Sequence, residues 1–220
     1  MVSIYDLKPR FQALLRPITR GLASRGVTAN QVTLLAAALS IAAGACIVVW
    51  PAESWPLIVV PAMLFVRMAL NAIDGMLARE HGMKSNLGAI LNEIGDVVSD
   101  SALYLPLALV SGFRPELVVA AVLLAAISEM AGVVAVQIGA SRRYEGPMGK
   151  SDRALVFGLI CLLLWCGVET GLWLDLVLGA ILLLLLVGAS SWLPLPLTTD
   201  PPALPWGWKP WSACRPGSGR

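Results

Sequence analysis

The sequence predicts an all-α integral membrane protein, with six transmembrane helices preceded by an N-terminal amphipathic interfacial helix. Hydrophobic residues make up 57% of the chain and charged residues 14%, with a mean hydropathy of +0.76, whereas a soluble domain carries about 25% charged residues. Apolar runs of about 20 residues, the length that crosses a bilayer core, recur six times. Lys and Arg gather in alternate connections between those runs, as the positive-inside rule requires of a multi-pass chain. The formal net charge of +2 is too small to argue for a nucleic-acid partner.

In residues 1–25, Leu7, Phe11, Leu14, Leu15, Ile18 and Leu22 recur at helical spacing among Lys8, Arg10, Arg16, Arg20 and Arg25. That pattern fits a helix lying on an anionic leaflet, or one packed on the protein's own cytoplasmic face. No uninterrupted apolar h-region or A-x-A-like site is present there, so no signal peptide is expected. The six spans fall near 29–50, 56–78, 86–111, 115–139, 153–170 and 172–193, giving a membrane domain over 26–193. Residues 194–220, with repeated Pro and Trp206, Trp208 and Trp211, read as an irregular tail. One set of connections holds the N-terminal helix, Arg79 and Lys84, then Arg142, Arg143, Lys150 and Arg153, and finally the tail; the other holds Arg114. Both termini are therefore expected in the cytoplasm, with Trp50, Trp55 and Trp173 in the aromatic belt of the far side. Cys46, Cys161, Cys166 and Cys214 show no metal spacing, and the first three sit in apolar runs where Cys behaves as a small hydrophobe.

The second and third spans differ from the rest. Residues 71–100, N-A-I-D-G-M-L-A-R-E-H-G-M-K-S-N-L-G-A-I-L-N-E-I-G-D-V-V-S-D, set acids and amides into an apolar chain. Ionisable groups inside a membrane helix cost at least ~2.5 kcal/mol each, which makes this segment the expected functional site. Asn71 and Asp74 are three apart, and Asn92, Asp96 and Asp100 follow at intervals of four, so each set shares a helix face. Two facing helices joined by a short loop converge them on one cytoplasm-facing pocket. Hard oxygen ligands suit Mg²⁺ or Mn²⁺ with phosphate oxygens in the remaining shell. Gly75 and Gly88 let a phosphate or ribose approach the backbone, and Arg79 offers a planar fork for phosphate. The combination points to metal-assisted phosphoryl transfer on a lipid. Arg67 reads as an internal ion pair with Glu129 or Asp100 in preference to a phosphate contact, with Glu93 in the same network; His81, in the loop E-H-G, reads as a solvated or capping group. Arg142, Arg143 and Lys150 are either loop charges or the binding site of an anionic acceptor.

The segment resembles the signature of the CDP-alcohol phosphotransferases, D-x2-D-G-x2-A-R-x8-G-x3-D-x3-D. Asp74, Gly75, Ala78, Arg79, Gly88 and Asp96 match it in type and spacing, while two of its acidic positions fall on Asn71 and Asn92. Upstream, G-V-T-A-N-Q-V-T-L-L, residues 26–35, is similar to the family's G-[IV]-T-P-N-x-[LV]-T, with Ala29 in place of Pro. The resemblance implies transfer of a phosphatidyl group from a CDP-lipid such as CDP-diacylglycerol to an alcohol, with release of CMP, and a homodimer is expected. It implies metal ligation at Asp74, Asp96, Asn71 and Asn92, and contacts to diphosphate and cytidine at Gly75, Arg79, Ser85, Thr28, Asn30 and Gln31. Asp96 matches the general base for the acceptor hydroxyl. Asp100, outside the signature, either shares that role or pairs with a cation. With two carboxylates missing, one ion on Asp74 and Asp96 is expected, with Arg67 or the 142–150 loop supplying the charge a second ion gives elsewhere. Two readings compete: a degenerate member that binds CDP-lipid or a partner without turnover, and an ion or proton carrier.

Overall fold

The computed structural model describes residues 4–137 and 147–190. They form α1 (Ile4–Ser24), α2 (Ala29–Val49), α3 (Trp55–Glu80), α4 (Asn86–Tyr104), a 3-10 segment (Leu105–Leu109), α5 (Pro115–Gln137), α6 (Lys150–Trp165) and α7 (Leu172–Ser190), with no strand among the described residues. Four of these helices, α2, α3, α5 and α7, are long and apolar enough to cross a membrane. The other two expected spans fall short for different reasons. α4 carries Asn92, Glu93, Asp96 and Asp100, and α6 has 16 residues, about 24 Å of helix. The protein is thus an all-α integral membrane protein. Arg142, Arg143 and the tail from 194 lie outside the described residues.

The expected third run, 86–111, is interrupted. α4 ends at Tyr104 and continues as the 3-10 segment, because Pro106 has no N–H to give the Ala102 carbonyl one turn back. That carbonyl lies against the bare Cα of Gly44 on α2, where a Cβ would overlap it. Gly95 of α4 likewise approaches the Thr33 methyl, so α2 and α4 meet through small residues, as membrane helices do. On the other flank α6 packs on α3, with Gly158 beside Pro61 and Leu64. Tyr104 and Phe157 stack at 4.4 Å in the centre of the core.

α1 turns into α2 at Gly26, whose φ of +76° favours glycine. Thr28 and Gln31 then cap α2 reciprocally, at 2.9 and 3.3 Å. Phe11, Leu15 and Leu22 of α1 pack against Ile73, Met76 and Leu77 of α3, and Arg16 pairs with Glu80 at 3.0 Å. Leu14 and Ile18, on the flank of that face, remain exposed. One face of the helix therefore rests on the protein, leaving an apolar edge turned outward. At the far end of the bundle Trp50 and Trp55 lie 5.2 Å apart and Arg114 pairs with Asp175 at 3.0 Å.

Candidate active site

Two openings lie near Asp96, which stands one helical turn along α4 from a residue lining the first and is bonded by residues lining the second. The first is a polar cavity of about 620 Å³ where the N-terminus of α2, the C-terminus of α3 and the start of α4 converge. Asn30, Thr33, Asp74, Gly75, Arg79, Ser85, Gly88, Asn92 and Glu93 line it. Buried Asp74 accepts a 2.8 Å hydrogen bond from the Thr33 hydroxyl at Oδ2. That hydroxyl also lies 3.2 Å from the Ala29 carbonyl, and its single proton is better placed on the charged oxygen. Arg79 folds back over Gly75, with Nη2 2.9 Å from where a Cβ would stand. Gly88 lies under the Asn30 carboxamide, 2.7 Å from the same notional atom, and donates its N–H to the Ser85 hydroxyl at 2.9 Å. The two glycines thus make room for side chains of the cavity itself.

The second opening is an apolar groove of about 630 Å³ between α3 and α6. Pro61, Leu64, Phe65, Met68, Leu155 and Leu159 line most of it, and Arg67, Asn71, Lys150 and Ser151 form its polar end. Phe65 and Leu155 are 62% and 71% exposed, apolar surface of the kind that lipid or a partner protein covers.

On α4, Asp96 Oδ1 accepts from Arg67 Nη2 at 3.1 Å and from Asn71 Nδ2 at 3.3 Å, and forms an ion pair with the Lys150 ammonium. Arg67 also bonds the Asp96 carbonyl at 3.0 Å and pairs with Asp100. The second oxygen of Asp100 receives Arg153 Nη2 at 2.9 Å, and Arg153 pairs with Glu129 as well. Arg67, Asp100 and Arg153 are all buried. A charged chain therefore links α3, α4, α5 and α6, since ions withdrawn from water must pair.

Several expected residues come together here and several do not. Asp74, Gly75, Arg79, Ser85, Gly88, Asn30 and Asn92 share the cavity, whereas Thr28 and Gln31 are spent on the helix cap and are not among its lining residues. Asn71 opens on the groove, and Asp96 is bonded by the groove residues Arg67 and Asn71 while standing one helical turn along α4 from Asn92 of the cavity. Asp100, with both oxygens held by arginines, has the cation-pairing arrangement and not that of a base. Lys150 sits on Asp96, one of the placements the sequence left open. His81 is exposed and caps α3 through its backbone N–H. Two partners escaped sequence reasoning: Thr33, one helical turn after Asn30, and Arg153, three residues after Lys150 on the same face.

Among the described residues no group of three or more His, Cys, Asp and Glu side chains could hold an ion. Asp96 Oδ1 is covered by cations, while Asp74 faces the cavity with Asn92 as a fellow lining residue. Such a set does not fit a pair of divalent ions. A single hard ion that takes phosphate oxygens and water for most of its shell fits Asp74.

These features define a class: an integral membrane helical enzyme with a polar cavity beside an apolar groove. A family model described as CDP-alcohol phosphatidyltransferase matches residues 26–192, and the chain belongs to that family of phosphotransferases. The inner membrane protein YnbA of Escherichia coli K12 is 48% identical over 158 residues, which cover 72% of this chain and 78% of that protein. The phosphatidylinositol phosphate synthase of Corynebacterium glutamicum is 31% identical over 104 residues, 47% of this chain and 45% of that one. The crystal structure of Mycobacterium tuberculosis phosphatidylinositol phosphate synthase (PgsA1) with CDP-DAG bound superposes with a TM-score of 0.65 at 20% identity, covering 80% of this chain and 88% of that chain. At that identity the likeness establishes the fold.

Proposed function

We propose that the protein transfers the phosphatidyl group of a CDP-linked lipid such as CDP-diacylglycerol to an alcohol, releasing CMP. The observation that carries this reading is a polar cavity beside an apolar groove, with Asp96 one helical turn from Asn92 of the cavity and bonded by Arg67 and Asn71 of the groove. A donor with a nucleotide at one end and acyl chains at the other needs both. In this reading the cytidine and diphosphate occupy the cavity, Arg79 binds phosphate oxygens with its fork, and Asn30 and Ser85 contact the nucleotide. The acyl chains lie along α3 and α6. The alcohol oxygen attacks the lipid-bearing phosphorus, its proton passes to Asp96 Oδ2, and the bond to the bridging oxygen breaks, with CMP keeping the electron pair. One divalent ion, Mg²⁺ or Mn²⁺, at Asp74 would supply positive charge to the diphosphate when bound. Arg67 holds Asp96 in place from the lipid side.

The same reading has α4 and α6 complete six crossings within a 26–193 membrane domain. Both termini and the cavity then lie on the cytoplasmic side, where the Lys and Arg of the connections gather. Purified protein incubated with CDP-diacylglycerol and a panel of alcohols is expected to release CMP with at least one of them. No CMP from any acceptor, with the lipid still bound, would defeat the transfer reading in favour of binding without turnover, which the Asn71 and Asn92 replacements favour.

A further inference from the structure

Asp96 has its cations built in. The oxygen it turns toward α3 and α6 takes Arg67 at 3.1 Å, Asn71 at 3.3 Å and the Lys150 ammonium. A carboxylate oxygen has about two lone pairs, so the hydrogen bonds from Arg67 and Asn71 already fill that atom, and a metal there would also meet the Lys150 ammonium. Asn71 is the informative neighbour. An acid there would set two carboxylates within hydrogen-bond distance, which either traps a proton between them or calls for more positive charge than Arg67 and Lys150 supply; the amide instead donates to Asp96. The amide at 71 and the ammonium at 150 therefore account for one another. Asp74 is different, because its hydrogen-bonding side chain is the neutral Thr33 and it opens on the cavity.

We infer that Lys150, seated on Asp96 with Arg67 beside it, replaces one divalent cation, so that this site works with a single ion, at Asp74. The inference rests on the transfer reading only for the lipid that accompanies the ion. Lys150 is 34% exposed on its side chain while Arg67 is 4% exposed. The lysine is thus the exchangeable half of the pair, and the arginine is the fixed half. An ammonium on a side chain supplies one charge and hydrogen-bond donors, and no chelator removes it.

Counting bound Mn²⁺ tests this directly. The full chain in detergent, with CDP-diacylglycerol in the micelle, is dialysed against increasing Mn²⁺ and examined by electron paramagnetic resonance. The native protein is expected to bind about one ion, with no coupling between neighbouring ions. Asn71→Asp combined with Lys150→Met is expected to bind two, showing the spin coupling of ions about 4 Å apart. Asn71→Asp alone, with the lysine kept, is expected to bind the second ion at least tenfold more weakly than the double variant, and Lys150→Arg to remain at one. Retention of the first ion reports that a variant is folded. The inference is overturned if the native protein binds two ions or none, a result that depends on no variant, or if the second ion binds equally well with and without Lys150. Failure to release CMP with the ion count as expected would strike the transfer reading and leave this one standing.

Discussion

Asp74 and Arg79 occupy the cavity with different debts to their surroundings. Asp74 is buried and held by one hydroxyl, while Arg79 is exposed and rests on Gly75. Under the proposed function each acts on the diphosphate, the aspartate through an ion and the arginine through its fork. Asp74→Ala and Arg79→Ala are each expected to lower CMP release by at least ~100-fold, the loss typical of removing one charge-stabilising group. Both variants should elute as the native protein does on gel filtration in detergent. Wild-type rates in either would show that the motif no longer serves chemistry. These two positions were legible in the sequence because an acid and an arginine inside apolar helices need a reason. Thr33 was not: threonine is ordinary in a membrane helix, and only the fold carries its hydroxyl to within 2.8 Å of Asp74 across 41 residues of chain.

At the scale of the helix, Pro106 and Gly44 form one device. The proline withholds an N–H from the Ala102 carbonyl, and the glycine lets that carbonyl come up against α2, where a Cα–H contact partly satisfies it. Gly44→Ala is expected to push α2 and α4 apart at a cost of about 1–3 kcal/mol, seen as a lower thermal midpoint in detergent. An unchanged midpoint would mean that the helices do not meet at that point. The buried charges make a second device. Arg153→Met leaves Asp100 and Glu129 facing each other without their shared cation, a loss of about 3–5 kcal/mol. Adding Glu129→Gln should recover part of it, a non-additivity that thermal unfolding of the set would measure. The apolar runs announced most of these helices. The break after Tyr104 was hidden inside a run that remains apolar on both sides, since hydropathy carries no record of hydrogen-bond donors. The pairing of Arg67 with Asp100 followed from the rule that buried charges pair, but Arg153 had been read with the loop because it stands at the end of a basic stretch.

For the whole molecule, the ends of the bundle are chemically distinct. One has the cavity, Arg79, Lys84 and α1; the other has the tryptophan pair and the Arg114–Asp175 bridge. In a background lacking native cysteines, single cysteines at 82–84 should react with impermeant reagents from the cytoplasm, and those at 112–114 from the far side. Reversed accessibility would overturn the orientation and with it the supply of a cytoplasmic nucleotide. Lys and Arg placement gives the expected orientation of the helices, which this labelling tests. Where the openings lie was not readable there, because it depends on which helices are neighbours: α6 lies beside α3, its partner in the groove, and α2 beside α4.

The groove is open along its side, and that has a consequence for traffic. Under the proposed function, a nucleotide in the cavity departs through the end of the bundle, into water. A lipid in the groove departs sideways between α3 and α6, past Phe65 and Leu155, and never leaves the bilayer. Water-soluble and oil-soluble products are thereby sorted by the phase each exit faces, with no gate required to tell them apart. Selectivity then falls on the head of the lipid, which alone must pass Asn71 and Lys150, while tails of different length trail into the membrane unmeasured.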